Sequence, residues 1–231
     1  RELAEFVDFP FRLYAYEPCW VPPLISDEFN TLRSDINPAF EHCEARYWLA
    51  RSAGKVVGRI AGIVHLRHEA KWGQRYVRLG WVEFEDAPAV SAALFGAVEE
   101  WARSLGASAV HGPLGFSDMD RQGLLVDGFS RTASLTGTFN YPYYQTHFEQ
   151  LGYEKDVDWV QLEAKVPRET PATLLRIAER ARRNSGLTTP RVSTRELRRY
   201  APAVFALMNR AYSQLYSYVD LTPRQIESYC D

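Results

Sequence analysis

Residues 89–111, AVSAALFGAVEEWARSLGASAVH, decide the fold. Val90, Leu94, Ala97, Val98, Trp101 and Leu105 recur at intervals of three and four, which predicts an amphipathic helix over residues 89–105, closed by Gly106. Residues 107–111 then read as a short buried strand stopped by Gly112-Pro113. A long helix must bury its apolar stripe, and buried strands beside it are the natural surface, so an α/β (α+β) domain is expected.

Working outward, residues 45–51 read as a strand, Ser52-Ala53-Gly54-Lys55 as a hairpin turn, residues 56–66 as the returning strand and 76–85 as a third. Upstream, Leu3, Phe6, Val7, Phe11 and Tyr14 keep near-helical spacing over residues 2–16, with Pro10 expected to interrupt. A short helix is expected over 26–32, capped by Ser26 or Asp27. Downstream, residues 114–138 form a long Gly-, Ser- and Asp-rich loop, a length that marks a functional or mobile segment. A helix over 143–151 ends at Gly152, and 159–164 read as a strand.

Val166-Pro167-Arg168-Glu169-Thr170-Pro171 reads as a linker. The helix expected at 172–184 carries Arg176, Arg180, Arg182 and Arg183, either a solvated face or a surface for acidic lipid or a partner. A strand at 187–192, a helix at 195–215 and a second helix opened by Thr222-Pro223 follow. Tyr14 with Trp20-Val21 repeats the spacing of Tyr212 with Tyr218-Val219, so the expected domains are 1–166 and 167–231, the latter the opening of a second, similar domain. Both ends cut into helical patterns, so the sequence is expected to be a piece of a longer chain.

Composition bounds the function classes. Charged residues make up 24% of the 231 and hydrophobic residues 46%, ordinary globular usage that supports a sizeable core. The formal net charge of -2 argues against a general nucleic-acid binder, which needs a basic surplus. Cys19, Cys43 and Cys230 form no Cys-x-x-Cys pair, which fits a reducing cytoplasm and argues against a disulfide framework. His65 and His68 lie three apart without a visible third ligand, so no metal is expected. No apolar run reaches the roughly 18 residues of a membrane span. Asp118, Asp120 and Asp127 in the long loop match no calcium-loop spacing, and a loop that covers a ligand cleft is the better reading.

The order helix, helix, three strands, long helix, strand, helix, strand resembles the GNAT N-acyltransferase fold. Leu94–Gly106 is similar to the helix that follows that family's CoA-binding loop, and Phe148-Glu149-Gln150-Leu151-Gly152-Tyr153 to its Tyr-Glu-x-x-Gly-Phe ending. Trp20-Val21-Pro22-Pro23-Leu24, Phe40-Glu41-His42, Val57-Gly58-Arg59-Ile60, Gly123-Leu124-Leu125-Val126-Asp127-Gly128-Phe129 and Asn140-Tyr141-Pro142-Tyr143-Tyr144 resemble a bacterial subfamily of tandem GNAT-like proteins. That resemblance implies a GNAT-like mixed sheet flanked by helices and acyl-CoA or acetyl-CoA as co-substrate. It also implies a small-molecule or lipid-like amine acceptor, with some relatives acylating long-chain amines in bacterial ceramide synthesis. A peripheral membrane contact fits such an acceptor.

The resemblance puts the pyrophosphate loop at Asp86-Ala87-Pro88-Ala89-Val90-Ser91, with Glu85, Ala87, Ala89, Val90, Ser91 and Asn140 as the implied donor-binding positions. The family's Arg is replaced by Asp86 and both glycines are lost. At an effective dielectric near ~20, a carboxylate ~5 Å from a phosphate charge costs about 3 kcal/mol before screening. Asp86 is the better fit to a helix N-cap. For the chemistry, Glu83 on the third strand is the candidate base, against a salt-bridged carboxylate. The family's general-acid Tyr falls on Phe148, and Tyr144 or His147 would replace it, against a packed Tyr and a surface His. Two functions follow: an acyl-CoA-dependent N-acyltransferase, or a catalytically degenerate GNAT-like domain that binds a ligand or partner in regulation.

Overall fold

The computed structural model describes residues 1–134, 137–186, 188 and 191–230, with the backbone alone for Thr194 and Arg195. Four strands form one sheet in the order β1 (Cys43–Ser52), β2 (Lys55–His65), β3 (Tyr76–Phe84) and β4 (Ala109–His111). The first three are antiparallel neighbours, and β4 pairs parallel to β3. This is the expected mixed sheet flanked by helices. The hairpin between β1 and β2 turns through Ala53 and Gly54, both at positive φ, the twist that a two-residue hairpin loop requires.

The long helix α4 (Pro88–Ser104) crosses one face of the sheet and connects β3 to β4. Leu94, Phe95, Val98 and Trp101 bury against Ile60, Val77, Leu79 and Phe84. Full burial of each such side chain contributes about 1.5–3 kcal/mol. Glycines in β2 set how closely the helix approaches: a Cβ at Gly58 would lie 2.7 Å from Leu94, and one at Gly62 2.9 Å from Trp101. Helix α5 (Tyr143–Gln150) adds Tyr144 and Phe148 to the same core.

The opposite face is covered by α1 (Glu2–Leu13) and α2 (Ile25–Leu32), whose Phe6, Val7 and Leu32 pack on Ala61. Pro10 does not interrupt α1. Its missing N–H would strand the carbonyl of Phe6, but the guanidinium of Arg59 donates to that oxygen at 2.8 Å. In β3, two residues between Gly80 and Glu83 stand opposite Ile60 alone, and Trp81 takes φ 45° there. The bulge aims Trp81 at Ile63 and Phe116 on the α1 face.

Several sequence expectations are corrected. Helix α2 opens at Leu24, whose carbonyl accepts from Asp27 and Glu28, and neither Ser26 nor Asp27 caps it. A helix α3 (Leu66–Trp72), unforeseen in the sequence, follows β2 directly, with the His65 ring as its cap. Residues 159–164 form no strand. The side chains of Gln161 and Glu163 bond to Ser134 and Arg131 of the long loop, and no ladder forms among the described residues. Of the strand expected at 187–192, Leu187, Thr189 and Pro190 lie outside the described residues, and Thr188, Arg191 and Val192 are not in a strand.

Helix α6 (Ala172–Ser185) is exposed along its whole length, and α7 (Thr194–Ala211) continues past Pro202. Helix α8 (Pro223–Cys230) is opened by a reciprocal pair: Thr222 Oγ1 accepts from the Gln225 N–H, and Gln225 Oε1 accepts from the Thr222 N–H. The segment before α8 is fastened to the sheet unit. Arg78 donates to the Ser217 carbonyl, Trp72 Nε1 to that of Tyr218 and Arg67 to that of Asp220, and Tyr218 is fully buried.

Candidate active site

The C-terminal end of β3 is surrounded by tyrosines from α1 and α5. Tyr144 is fully buried, its ring stacked 4.4 Å from that of Phe84. Its hydroxyl receives the Phe84 N–H at 2.9 Å and lies 3.1 Å from the Tyr14 hydroxyl. Tyr143 donates to the Phe84 carbonyl at 2.5 Å. Both backbone groups of Phe84 are therefore held by phenols. Burial, and then the Glu83 charge, pushes the Tyr14 hydroxyl well above the ordinary tyrosine range. For Tyr144 burial again comes first, followed by Tyr14 and Glu83. Both phenols stay protonated across the physiological range.

One residue before Phe84, Glu83 accepts from Arg59 Nε at 2.6 Å. Arg59 has a side chain only 3% exposed, stacks over the Phe6 ring and lies 3.9 Å from Glu28. Glu28 also accepts from Trp81 Nε1 at 3.0 Å. Burial raises the Glu28 carboxyl above its usual range, with Arg59 pulling down and Glu83 pushing up. Two carboxylates thus flank one buried guanidinium, and the Arg121 charge also acts on Glu28. Glu28, Arg59 and Tyr14 escaped the sequence reading. Glu28 carried no signal beyond its place on an amphipathic helix; Arg59, an arginine in an otherwise buried strand, was the visible clue.

His147 is buried between two partners: Nδ1 lies 2.7 Å from Ser91 Oγ, and Nε2 lies 2.9 Å from Asp86 Oδ1. A carboxylate can only accept, so Nε2 carries a proton. Asp86 therefore does not cap α4. The N-cap position is Ala87, without a side-chain bond, and Asp86 reaches across to α5. Ser91 is 1% exposed, with its hydroxyl between His147 Nδ1 and the Pro88 carbonyl, so it is a linker between helices and not an open nucleophile.

Of the remaining donor-binding positions, Ala87, Ala89 and Val90 form the start of α4, and Glu85 is exposed beside it. A cleft of about 540 Å³, lined by Arg12, Ser52, Lys55, Val56, Val57 and Glu85, adjoins this helix start. Arg12 and Lys55 supply two cations near the loop that lacks its own. Asn140 is elsewhere: its amide bonds to both backbone groups of Leu125 and to the Tyr141 carbonyl, clamping the long loop and not capping α5. The structure brings Glu83, Tyr144 and the start of α4 around the end of β3, and leaves Asn140 outside.

One cluster has the donor types of a metal site. The ligand atoms of His42, Cys43 and His65 lie within 4.8 Å of one another. Their chemistry fits a cation poorly. His65 Nδ1 already accepts from the His68 N–H, so the neutral ring carries its proton on Nε2, the reverse of a ligating histidine. The three pack as a buried polar corner.

No family model matches the chain. Over 165 residues it is 37% identical to Protein YghO of Escherichia coli (strain K12), a match covering 70% of this chain and 42% of that protein. Over 222 residues it is 30% identical to the bacterial ceramide synthase of Caulobacter vibrioides (strain NA1000 / CB15N), covering 96% of this chain and 58% of that protein. The chain thus spans about half the length of these relatives. Two solved structures resemble it loosely. A tandem GNAT protein from the clavulanic acid biosynthesis pathway has TM-score 0.42 and 17% identity, over 65% of this chain and 39% of that one. A putative acetyl transferase from Pyrococcus furiosus has TM-score 0.43 and 14% identity, over 71% and 95%.

Proposed function

We propose that this chain is part of an acyl-CoA-dependent N-acyltransferase that acts on an amine with a long apolar chain. The observation that carries the reading is the pair of carboxylates beside β3: Glu28 and Glu83 share the Arg59 guanidinium, next to the Tyr14–Tyr144 hydroxyl pair. Paired carboxylates suit an ammonium. Glu83, with Glu28, takes up the ammonium proton, and the freed amine forms its bond to the acyl carbon. As the carbon–sulfur bond breaks, the Tyr144 hydroxyl gives its proton to the sulfur and its oxygen takes the second proton from the nitrogen, so that amide, thiol and phenol all end neutral. His147 acts at one remove, fixing Asp86 and Ser91 at the start of α4. Arg12 and Lys55 would meet the donor's phosphates beside Glu85, Ala87, Ala89 and Val90. The likeness to a ceramide synthase over nearly the whole chain supports a lipid-like acceptor. In this reading residues 1–166 form one GNAT-like domain and 167–231 open a second.

Calorimetric titration with acetyl-CoA and palmitoyl-CoA, followed by thiol release in the presence of a long-chain amine, tests it. Heat and turnover with palmitoyl-CoA are expected. Absence of heat with either thioester would overturn it.

A second reading has its own observation. Tyr143 and Tyr144 occupy both backbone groups of Phe84, and Asp86 adds negative charge at the start of α4. A unit closed in this way binds no donor and serves as the ligand-binding or regulatory half of a larger protein. Acceptor binding without donor binding in the same titrations would favour it.

A further inference from the structure

We propose that α6 is a docking helix that lies on an anionic lipid bilayer. Residues 158–186 are all exposed, so α6 lies on no other part of the described chain. Its sequence is nonetheless that of a helix with two faces. Leu174, Ile177, Ala178 and Ala181 follow the i, i+3, i+4, i+7 spacing of one apolar stripe, with Leu175 at its border. Leu174, Leu175 and Ile177 are 54%, 56% and 59% exposed. Arg176, Arg180 and Arg183 lie on the opposite side, where with Glu179 and Asn184 they line a notch of about 270 Å³. Arg183 is paired with Glu179, whereas Arg180 and Arg182 have no ion pair among the described residues.

Charge separates the candidate occupants. Residues 172–211 contain nine Arg, two Glu and neither Lys nor Asp, a net charge of 9 − 2 = +7. The whole chain has net charge -2, so the rest carries −2 − 7 = −9. Within it α6, exposed along its whole length, holds four of these Arg and one Glu, a net charge of 4 − 1 = +3, and the acidic remainder of the chain would be held off an anionic surface. A nucleic acid would engage the arginines but leave Leu174 and Ile177 in water. A bilayer takes both faces, lipid headgroup phosphates meeting the arginines while the apolar stripe enters the acyl boundary. The proposal stands whether or not acyl-CoA is the donor. It would also bring the protein to the phase where a long-chain amine resides.

Flotation of the protein with phosphatidylcholine vesicles, and with vesicles containing about one third phosphatidylglycerol, tests this. Binding is expected to the anionic vesicles alone and should weaken as salt rises. Each arginine near such a surface contributes about fivefold, so Arg176→Gln/Arg180→Gln/Arg183→Gln should lower the partition about 100-fold. Ile177→Glu should also lower it, through the apolar face. These side chains are exposed, so an unchanged urea midpoint verifies that folding is intact. Equal partition into both vesicle types, partition into neither, or no loss in the variants would overturn the proposal. So would single-stranded DNA binding that the arginine variant abolishes and Ile177→Glu leaves intact, with no vesicle binding.

Discussion

Arg59 Nη1 donates to the carbonyl of Phe6, the one oxygen in α1 that Pro10 deprives of its helical partner. A strand residue thus repairs a helix, and the same guanidinium neutralises Glu83 and faces Glu28. Arg59→Met would leave two carboxylates without their cation and Phe6 without a donor. A loss of about 3–5 kcal/mol in urea unfolding is expected. Pro10→Ala restores an N–H to Phe6, so in the double variant about 1 kcal/mol of that loss should return. Strict additivity of the two substitutions would show that the Phe6 contact is incidental.

The Tyr144 hydroxyl serves both Phe84 and Tyr14. Tyr144→Phe keeps the ring stacked on Phe84 but leaves a buried N–H without its acceptor, a stability cost of about 1–3 kcal/mol. If the hydroxyl also protonates the leaving sulfur, kcat should fall about 100-fold or more with KM nearly unchanged. Because burial keeps the phenol protonated, activity should show no basic limb from Tyr144 below pH 9. Full turnover by the Phe variant would remove Tyr144 from the chemistry.

How much of this was written in the sequence depends on distance along the chain. The α4 stripe, the hairpin through Ala53-Gly54 and the mixed sheet are local patterns, and each is present. Glu83, Tyr144 and the start of α4 meet at one sheet end because α4 begins just after β3 and α5 stacks Tyr144 on Phe84. What could not be read were pairings between distant segments. Pro10 looked like a breaker because its compensation lies 53 positions away from Phe6, at Arg59. Asp86 looked like a cap because His147, its actual partner, is 61 positions on. Residues 159–164 have strand composition, but strand formation also needs an edge to pair with, and among the described residues they pair with none.

Asp120 offers a pH test of the loop that follows β4. Its carboxylate accepts from the Ser117 N–H, and burial pushes its pKa up from 3.8 to about 6. The folded state then binds the proton more tightly than the unfolded chain, so wild-type stability falls as pH rises from about 4 to about 6 and levels off above. Asp120→Asn can still accept from Ser117 and does not titrate. Relative to wild type it should gain about 2–3 kcal/mol between pH 4 and pH 7 in urea midpoints. A difference that stays constant with pH would mean the carboxylate is solvated in solution.

Asp86 distinguishes the two functional readings. Its carboxylate stands at the start of α4, where donor phosphates would meet Arg12 and Lys55, and it holds His147 through Nε2. Asp86→Asn keeps an acceptor for that N–H through the amide oxygen while removing the charge. For a donor-binding unit, repulsion of a few kcal/mol before screening disappears, and palmitoyl-CoA should bind about tenfold tighter at low salt, with a smaller gain at high salt. For a closed unit the substitution changes nothing, because Tyr143 and Tyr144 block the end of β3 whatever the charge nearby. Titration of wild type and variant at two salt concentrations separates the cases. A salt-dependent gain assigns the loop to a diphosphate, whereas no binding by either protein leaves Asp86 as the tie between α4 and α5.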